Sequence, residues 1–269
     1  MTNNIVYLAS YPKSGNTWLR SILLLALTNT IDINKLGTFI PSFNQLLQNY
    51  YGHETNIPMN VVINNWDRFQ QYLSNKNYRP IIKTHNACGK INKIYFPNKL
   101  YTHKVIYIVR DPRDVLISWA NHNGRSLEET FNHMIDTEFT VYDEIDKASY
   151  SIEFMSSWDN HVYGWMECTS PTLIIKYEDL ILDAENQILK ILEFLKIKPK
   201  ISIREIIERT SFDKLKELER QNGFIEKQKG TNFFREGKAY GWKLHDFDFR
   251  KIEQRFMPLL KQLNYPVNG

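Results

Sequence analysis

The sequence predicts an α/β fold, a single domain over residues 1–269 with a mainly parallel central sheet flanked by helices. Three observations carry this. Four short apolar runs rich in β-branched residues (5–9, 80–84, 104–109 and 172–176) are bounded by polar or turn residues, as strands buried on both faces are. Three of them lead into helical segments, at 17–27, 112–122 and 183–195, and strands that alternate with helices build parallel sheets. No repeat, low-complexity tract or Gly/Ser linker divides the chain.

The first strand runs into Tyr11-Pro12-Lys13-Ser14-Gly15-Asn16-Thr17-Trp18 and then a helix. A strand, a tight glycine turn with a lysine and a helix start together cradle a phosphate, because backbone N–H groups and the helix dipole both face the anion. Lys13 adds a cation, and Ser14, Asn16 and Thr17 add side-chain donors. This is not the ordinary nucleotide-binding loop, in which the lysine follows the last glycine, since Lys13 precedes Gly15. Trp18 suits a base stacked beside its own phosphates.

The second strand ends in Lys83-Thr84-His85 and the fourth in Tyr177-Glu178-Asp179. The third ends in Arg110, after which Asp111 reads as a helix N-cap and Pro112 as the first helical residue. Ser118, eight residues after Arg110, puts a hydroxyl and a guanidinium near one helical turn, a second phosphate site. Ligands of such sheets bind beyond the carboxyl ends of the strands. Ser10, Thr84-His85, Arg110 and Tyr177-Glu178-Asp179 should therefore converge on one crevice. Residues 30–79 and 123–165 are aromatic-rich and read as helical insertions and loops forming its second wall.

Composition narrows the partners. The excess of 34 basic over 30 acidic residues suits a small anionic ligand and is too weak for nucleic acid. The apolar run 19–27 is half the length a bilayer needs, and the polar start Thr2-Asn3-Asn4 is no secretory leader, so no membrane association and a cytoplasmic location are expected. Cys88 and Cys168 have no metal-type spacing. They could pair, but two reduced thiols are the plainer expectation.

The loop at 11–18 resembles the 5′-phosphosulfate loop of the sulfotransferases that use 3′-phosphoadenosine 5′-phosphosulfate (PAPS), and Arg110 with Ser118 resembles their 3′-phosphate motif. Three further segments resemble the family in the same order. Tyr177-Glu178-Asp179 is similar to its strand-end motif near the adenine. Arg209-Thr210-Ser211-Phe212 is similar to the stretch whose threonine bonds adenine and whose phenylalanine sandwiches the base against Trp18. Phe234-Arg235-Glu236-Gly237 with Gly241-Trp242-Lys243 is similar to the late Arg-Lys-Gly signature. Glu236 stands where the family has lysine, which puts a carboxylate near a phosphate.

The resemblance implies a soluble sulfotransferase with a phosphosulfate-binding strand–loop–helix. It would pass a sulfuryl group from PAPS to a hydroxyl, or an amine or amide nitrogen, of a small-molecule acceptor and release 3′-phosphoadenosine 5′-phosphate (PAP), without a metal. His85 matches the catalytic histidine, and Lys13 and Lys83 match the lysines on the transferring group. Lys13, Ser14, Gly15, Asn16, Thr17, Trp18, Arg110, Ser118, Tyr177, Thr210, Phe212, Phe234, Arg235, Glu236 and Gly237 would hold the cofactor. The helix from Ser157-Trp158 to Trp165 is expected to pack. Leu244 to Phe249 does not carry the dimer motif of the cytosolic animal enzymes, and the oligomeric state stays open.

The acceptor side has weaker signals. Phe39, Phe43, Tyr50, Tyr51, Phe139 and Tyr142 are candidate pocket residues. Glu128, Glu129, Asp136, Glu138, Asp143, Glu144 and Asp146 have no lysine or arginine between them. They read either as a solvated helix face or as recognition of a cationic metabolite. Two other readings stay open, a non-catalytic PAP-binding sensor and a sulfotransferase acting on a glycan or protein. A kinase is disfavoured by the position of Lys13.

Overall fold

Strand alternation divides the buried interior into two cores. In the first strand, β1 (Ile5–Ser10), all six residues are buried. Ile5, Tyr7 and Ala9 join one hydrophobic cluster, while Val6 and Leu8 join another on the opposite face. A continuous apolar run is what a strand covered on both faces requires.

The structure is a computed structural model, and it describes residues 3–51, 59–91, 93–146, 149–227, 232–235 and 237–267. After β1 come α1 (Asn16–Thr28), α2 (Leu36–Phe39), α3 (Phe43–Tyr51) and α4 (Met59–Ser74). Next are β2 (Ile81–Thr84), β3 (Gly89–Ile91), β4 (Ile94–Phe96), β5 (Thr102–Val109), α5 (Pro112–Asn123) and α6 (Leu127–Ile135). Then follow β6 (Thr140–Asp146), β7 (Ser149–Phe154), α7 (Trp158–Met166), β8 (Thr172–Lys176), α8 (Tyr177–Leu182) and α9 (Ala184–Leu195). The chain closes with α10 (Ile203–Arg209), α11 (Phe212–Asn222) and α12 (Arg250–Gln262).

The main sheet has the order β2-β1-β5-β8 and is parallel throughout. Its four strands are those expected, with β2 starting one residue late because Pro80 has no N–H to give the ladder, although its carbonyl accepts from Val6 N–H. On one face, α1 contributes Leu19, Ile22, Leu23 and Ala26, an i, i+3, i+4, i+7 stripe, to the cluster shared with α9. On the other face, α3, α4, α7 and α12 supply Phe43, Trp66, Phe69, Trp158, Trp165 and Phe256. The packing role expected for the Trp158 helix holds.

The caps explain where the key helices start and stop. Asp111 caps α5 by accepting from Arg113 N–H at 3.0 Å, with Pro112 in the first turn, and Gly124 closes it in the left-handed region. Arg113 is fully buried and balanced by Asp111 and Glu253, which ties α5 to α12.

One expectation fails. Residues 123–165 are not only helices and loops: β6 and β7 pair as an antiparallel hairpin, so the acids at 143, 144 and 146 lie on a strand and not on a helix. Charge count was the misleading signal there. The alternating Tyr150, Ile152 and Phe154 carry the strand pattern instead. Among the described residues, no helix is long and apolar enough to cross a membrane.

Candidate active site

The carboxyl ends of β1, β2 and β5 and the N-termini of α1 and α5 open onto a cavity of about 970 Å³. Lys13, Gly15, Asn16, Thr17, Trp18, Lys83, His85, Arg110, Ser118, Tyr177, Phe212, Phe234, Arg235 and Gly237 all line it. The convergence read from strand ends holds for His85, Arg110 and Tyr177. Glu178 is instead buried off the cavity, accepting from Asp111 N–H at 3.0 Å and from the Tyr265 hydroxyl at 3.1 Å. Burial holds its carboxyl up at about 7.

The loop between β1 and α1 is shaped by two left-handed residues, Lys13 (φ 62°) and Gly15 (φ 106°). A Cβ at Gly15 would come within 2.6 Å of the Tyr177 ring and 3.0 Å of Ile108. Only glycine fits this turn. Arg110 donates from Nη1 to the Lys13 carbonyl at 3.1 Å and lies over the Tyr177 ring, 4.3 Å from its centroid. The end of β5 therefore braces the loop after β1. Burial, helped by Arg235 and Arg110, pulls the Lys13 ammonium down to about 7, and its Nζ sits 4.1 Å from the Phe233 ring centroid. Ser14 Oγ and Arg110 Nε are buried with no protein partner. Orphaned donors beside a cluster of cations fit an anion with more than one charged group.

His85 has a defined tautomer. Its Nδ1 lies 2.7 Å from the Ser10 carbonyl, which can only accept, so Nδ1 carries the proton and Nε2 keeps its lone pair. Ser10 Oγ lies 3.2 Å from the same Nδ1. Burial and the neighbouring Lys83 hold the ring well below the usual imidazole range, so it is neutral near pH 7. His161 positions this segment from behind, with Nδ1 2.9 Å from the Tyr107 hydroxyl and Nε2 3.1 Å from the His85 carbonyl.

Some expected residues sit differently. Thr210 is buried away from the cavity: its hydroxyl donates to the Ile206 carbonyl at 2.7 Å, and its own carbonyl accepts from Trp18 Nε1 at 2.8 Å. Its contribution is to hold Trp18, because the last turn of α10 takes up the hydroxyl. Ser14 is buried and does not line the cavity. Glu236 is outside the described residues, as are the side chains of Tyr51, Tyr142, Asp143, Glu144 and Asp146. Of the acidic run, Glu128, Glu129, Asp136 and Glu138 are exposed and off the cavity. Glu129 completes a capping box with Ser126, and Asp136 accepts from Glu138 N–H. Phe43 is core, Phe39 is solvent-exposed and Tyr50 packs on Phe69 and Tyr72, whereas Phe139 does line the cavity.

Three carboxylates matter that the sequence did not point to. Glu226 lines the cavity and takes both Arg20 Nη atoms, at 2.8 and 2.6 Å, with Thr17 Oγ1 3.5 Å away. Arg20, with Lys83 and Lys13, holds its carboxyl down at about 2 against burial. Glu219 accepts the Phe233 and Phe234 N–H groups at 2.7 and 2.9 Å and so fixes the turn before Arg235. Glu153, 3% exposed, lines the cavity and accepts from His85 N–H at 3.2 Å. The apolar wall around it is Ile117, Trp119, Phe139, Val141 and Met155.

Comparison with known proteins agrees with this geometry. The family model described as "Sulfotransferase domain" matches residues 4–262. Mouse sulfotransferase 2A6 is 27% identical over 88% of this chain and 76% of its own. The flavonol 3-sulfotransferase of Flaveria bidentis is 27% identical over 89% and 76%. Among solved structures, retinol dehydratase in complex with androsterone and PAP superposes with a TM-score of 0.62 at 20% identity, covering all of this chain and 83% of that one. Mouse SULT7A1 complexed with PAP gives 0.59 at 20% identity, covering all of this chain and 87% of that one. Two phosphate-type loops at strand ends, a neutral histidine between them and a family match over nearly the whole length have one meaning: the chain belongs to the sulfotransferase domain family.

Proposed function

We propose that this chain transfers a sulfuryl group from PAPS to a small-molecule acceptor, by in-line displacement with His85 as the general base, releasing PAP. One observation carries the reading: His85 keeps its proton on Nδ1 against the Ser10 carbonyl and presents a neutral Nε2 in a cavity that also holds Lys13 and Lys83. A base must meet the acceptor proton with a free lone pair, and this ring does.

PAPS, when bound, supplies the sulfuryl group. Lys13, Ser14, Gly15, Asn16 and Thr17 would hold its 5′ end, Arg110, Ser118, Arg235 and Gly237 its 3′-phosphate, and Trp18 with Phe212 its base. The orphaned Arg110 Nε, on a residue that lines the cavity, supports the fit. Lys13 and Lys83 provide positive charge where the leaving oxygen develops negative charge. His85 Nε2 takes the acceptor proton.

Relatives named for a 3-alpha-hydroxysteroid and a flavonol favour a hydroxyl as the acceptor group. We also infer that the acceptor carries a cationic group elsewhere in its structure. The carboxylate that would read it is Glu153, set in the apolar wall beside His85, rather than the exposed acids of residues 128–138. The test is transfer of label from sulfonate-labelled PAPS to a panel of small hydroxyl and amine acceptors. Acceptor-dependent label transfer with equal PAP release is expected. PAP binding with no transfer to any acceptor would favour a non-catalytic sensor, and no PAP binding would overturn the reading.

A further inference from the structure

Cys88 and Cys168 are distant in sequence, and the fold brings them together at the back of the His85 segment. Residues 86–88 lie along α7: Trp165 Nε1 donates to the Asn86 carbonyl at 3.1 Å. The Cys88 carbonyl presses on Gly164 so closely that a Cβ there would meet it at 2.2 Å. Cys168 follows just past the end of α7, its N–H donating back to the Trp165 carbonyl at 3.4 Å. Both side chains pack on the same hydrophobic cluster, both are half-buried and both are free thiols. Each thiol stands close enough to the other to shift its titration.

We propose that Cys88 and Cys168 form a redox-active dithiol, a modification site that closes to an intramolecular disulfide when it meets a low-molecular-weight disulfide oxidant. This site is independent of the sulfuryl-transfer reading. Cys168 is the attacking thiol: the neighbouring Cys88 holds it below the ordinary thiol range, whereas Cys88 is pushed up by the same neighbour and by burial. The thiolate is the nucleophile in such exchange. With glutathione disulfide, the Cys168 thiolate attacks one sulfur and expels one glutathione thiolate. Cys88 then loses its proton and displaces the second. The protein gives up two protons and two electrons, and the glutathione disulfide becomes two glutathione thiols. Because Cys88 lies three residues after His85 and α7 carries His161, the link ties the base-bearing segment to its supporting helix.

The test uses the full chain, reduced, then exposed to glutathione disulfide, trapped with an alkylating agent and read by intact mass and an unreduced peptide map. Wild type is expected to lose two hydrogens, join the Cys88 and Cys168 peptides within one chain, retain no glutathione and revert with dithiothreitol. Cys88→Ser should keep glutathione on Cys168, and Cys168→Ser should react at least about tenfold more slowly. Glutathione retained on wild type without an internal link would overturn the proposal. So would both thiols remaining open to alkylation, or a link formed only between chains. The wild-type map decides even if a serine variant folds poorly.

Discussion

The two halves of the cavity are built in different ways. The half proposed to hold the cofactor rests on residues at two strand–helix junctions, Lys13 to Trp18 and Arg110 to Ser118, whose backbone positions are fixed by β1, β5 and the helices they feed. The half proposed for the acceptor gathers single side chains from α5, the β6–β7 hairpin and the His85 segment. A phosphate cradle needs backbone N–H groups in sequence, so it survives as a motif. A hydrophobic pocket needs only side chains that meet in space, so it leaves no linear mark.

The largest effect separates the halves at their border. His85→Ala should lower turnover by about 10²–10⁴-fold while leaving PAP affinity unchanged, read by steady-state kinetics beside a PAP titration. If PAP affinity falls in step, His85 belongs to the cofactor half. Next, Arg110→Met should cost about 1.5–3 kcal/mol of PAP binding, on the order of ten- to a hundredfold, with acceptor preference unaltered. An altered acceptor ranking would mean the halves are not separable.

Glu153→Gln should raise KM for amine-bearing acceptors by about tenfold relative to neutral analogues of the same shape, through loss of one charge-assisted contact. An equal change for both would confine Glu153 to holding the His85 N–H.

The smallest effect is a proton. Lys13 sits at about 7, pulled down mainly by burial. A bound anion raises it, so cofactor affinity is full below about pH 7 and declines as pH rises above that value. Calorimetry near pH 8 in buffers of different ionisation heat should show uptake approaching one proton on PAP binding, and Lys13→Met should abolish it. Uptake that persists in Lys13→Met assigns the proton elsewhere.

The same contrast explains what could be read from the chain. The central strands β1 and β5 were legible because burial on both faces demands unbroken apolar runs, and Asp111-Pro112 marked the start of α5 by cap chemistry alone. Glu226 was not legible. It pairs with Arg20 across 206 residues, and a lone glutamate in a polar stretch carries no sign of its partner. Glu153 was hidden similarly, as one acid on a strand, while the denser acids nearby drew attention to an exposed surface. Thr210 shows a subtler limit: a residue's place in a motif does not reveal whether its hydroxyl is already taken by the preceding helical turn.

The most direct test is titration of the wild-type protein with PAP, followed through the fluorescence of Trp18 and its neighbours. Saturable binding at one site per chain, weakened by Arg110→Met and untouched by His85→Ala, is the result this account predicts. No saturable binding, or binding indifferent to Arg110, would contradict it.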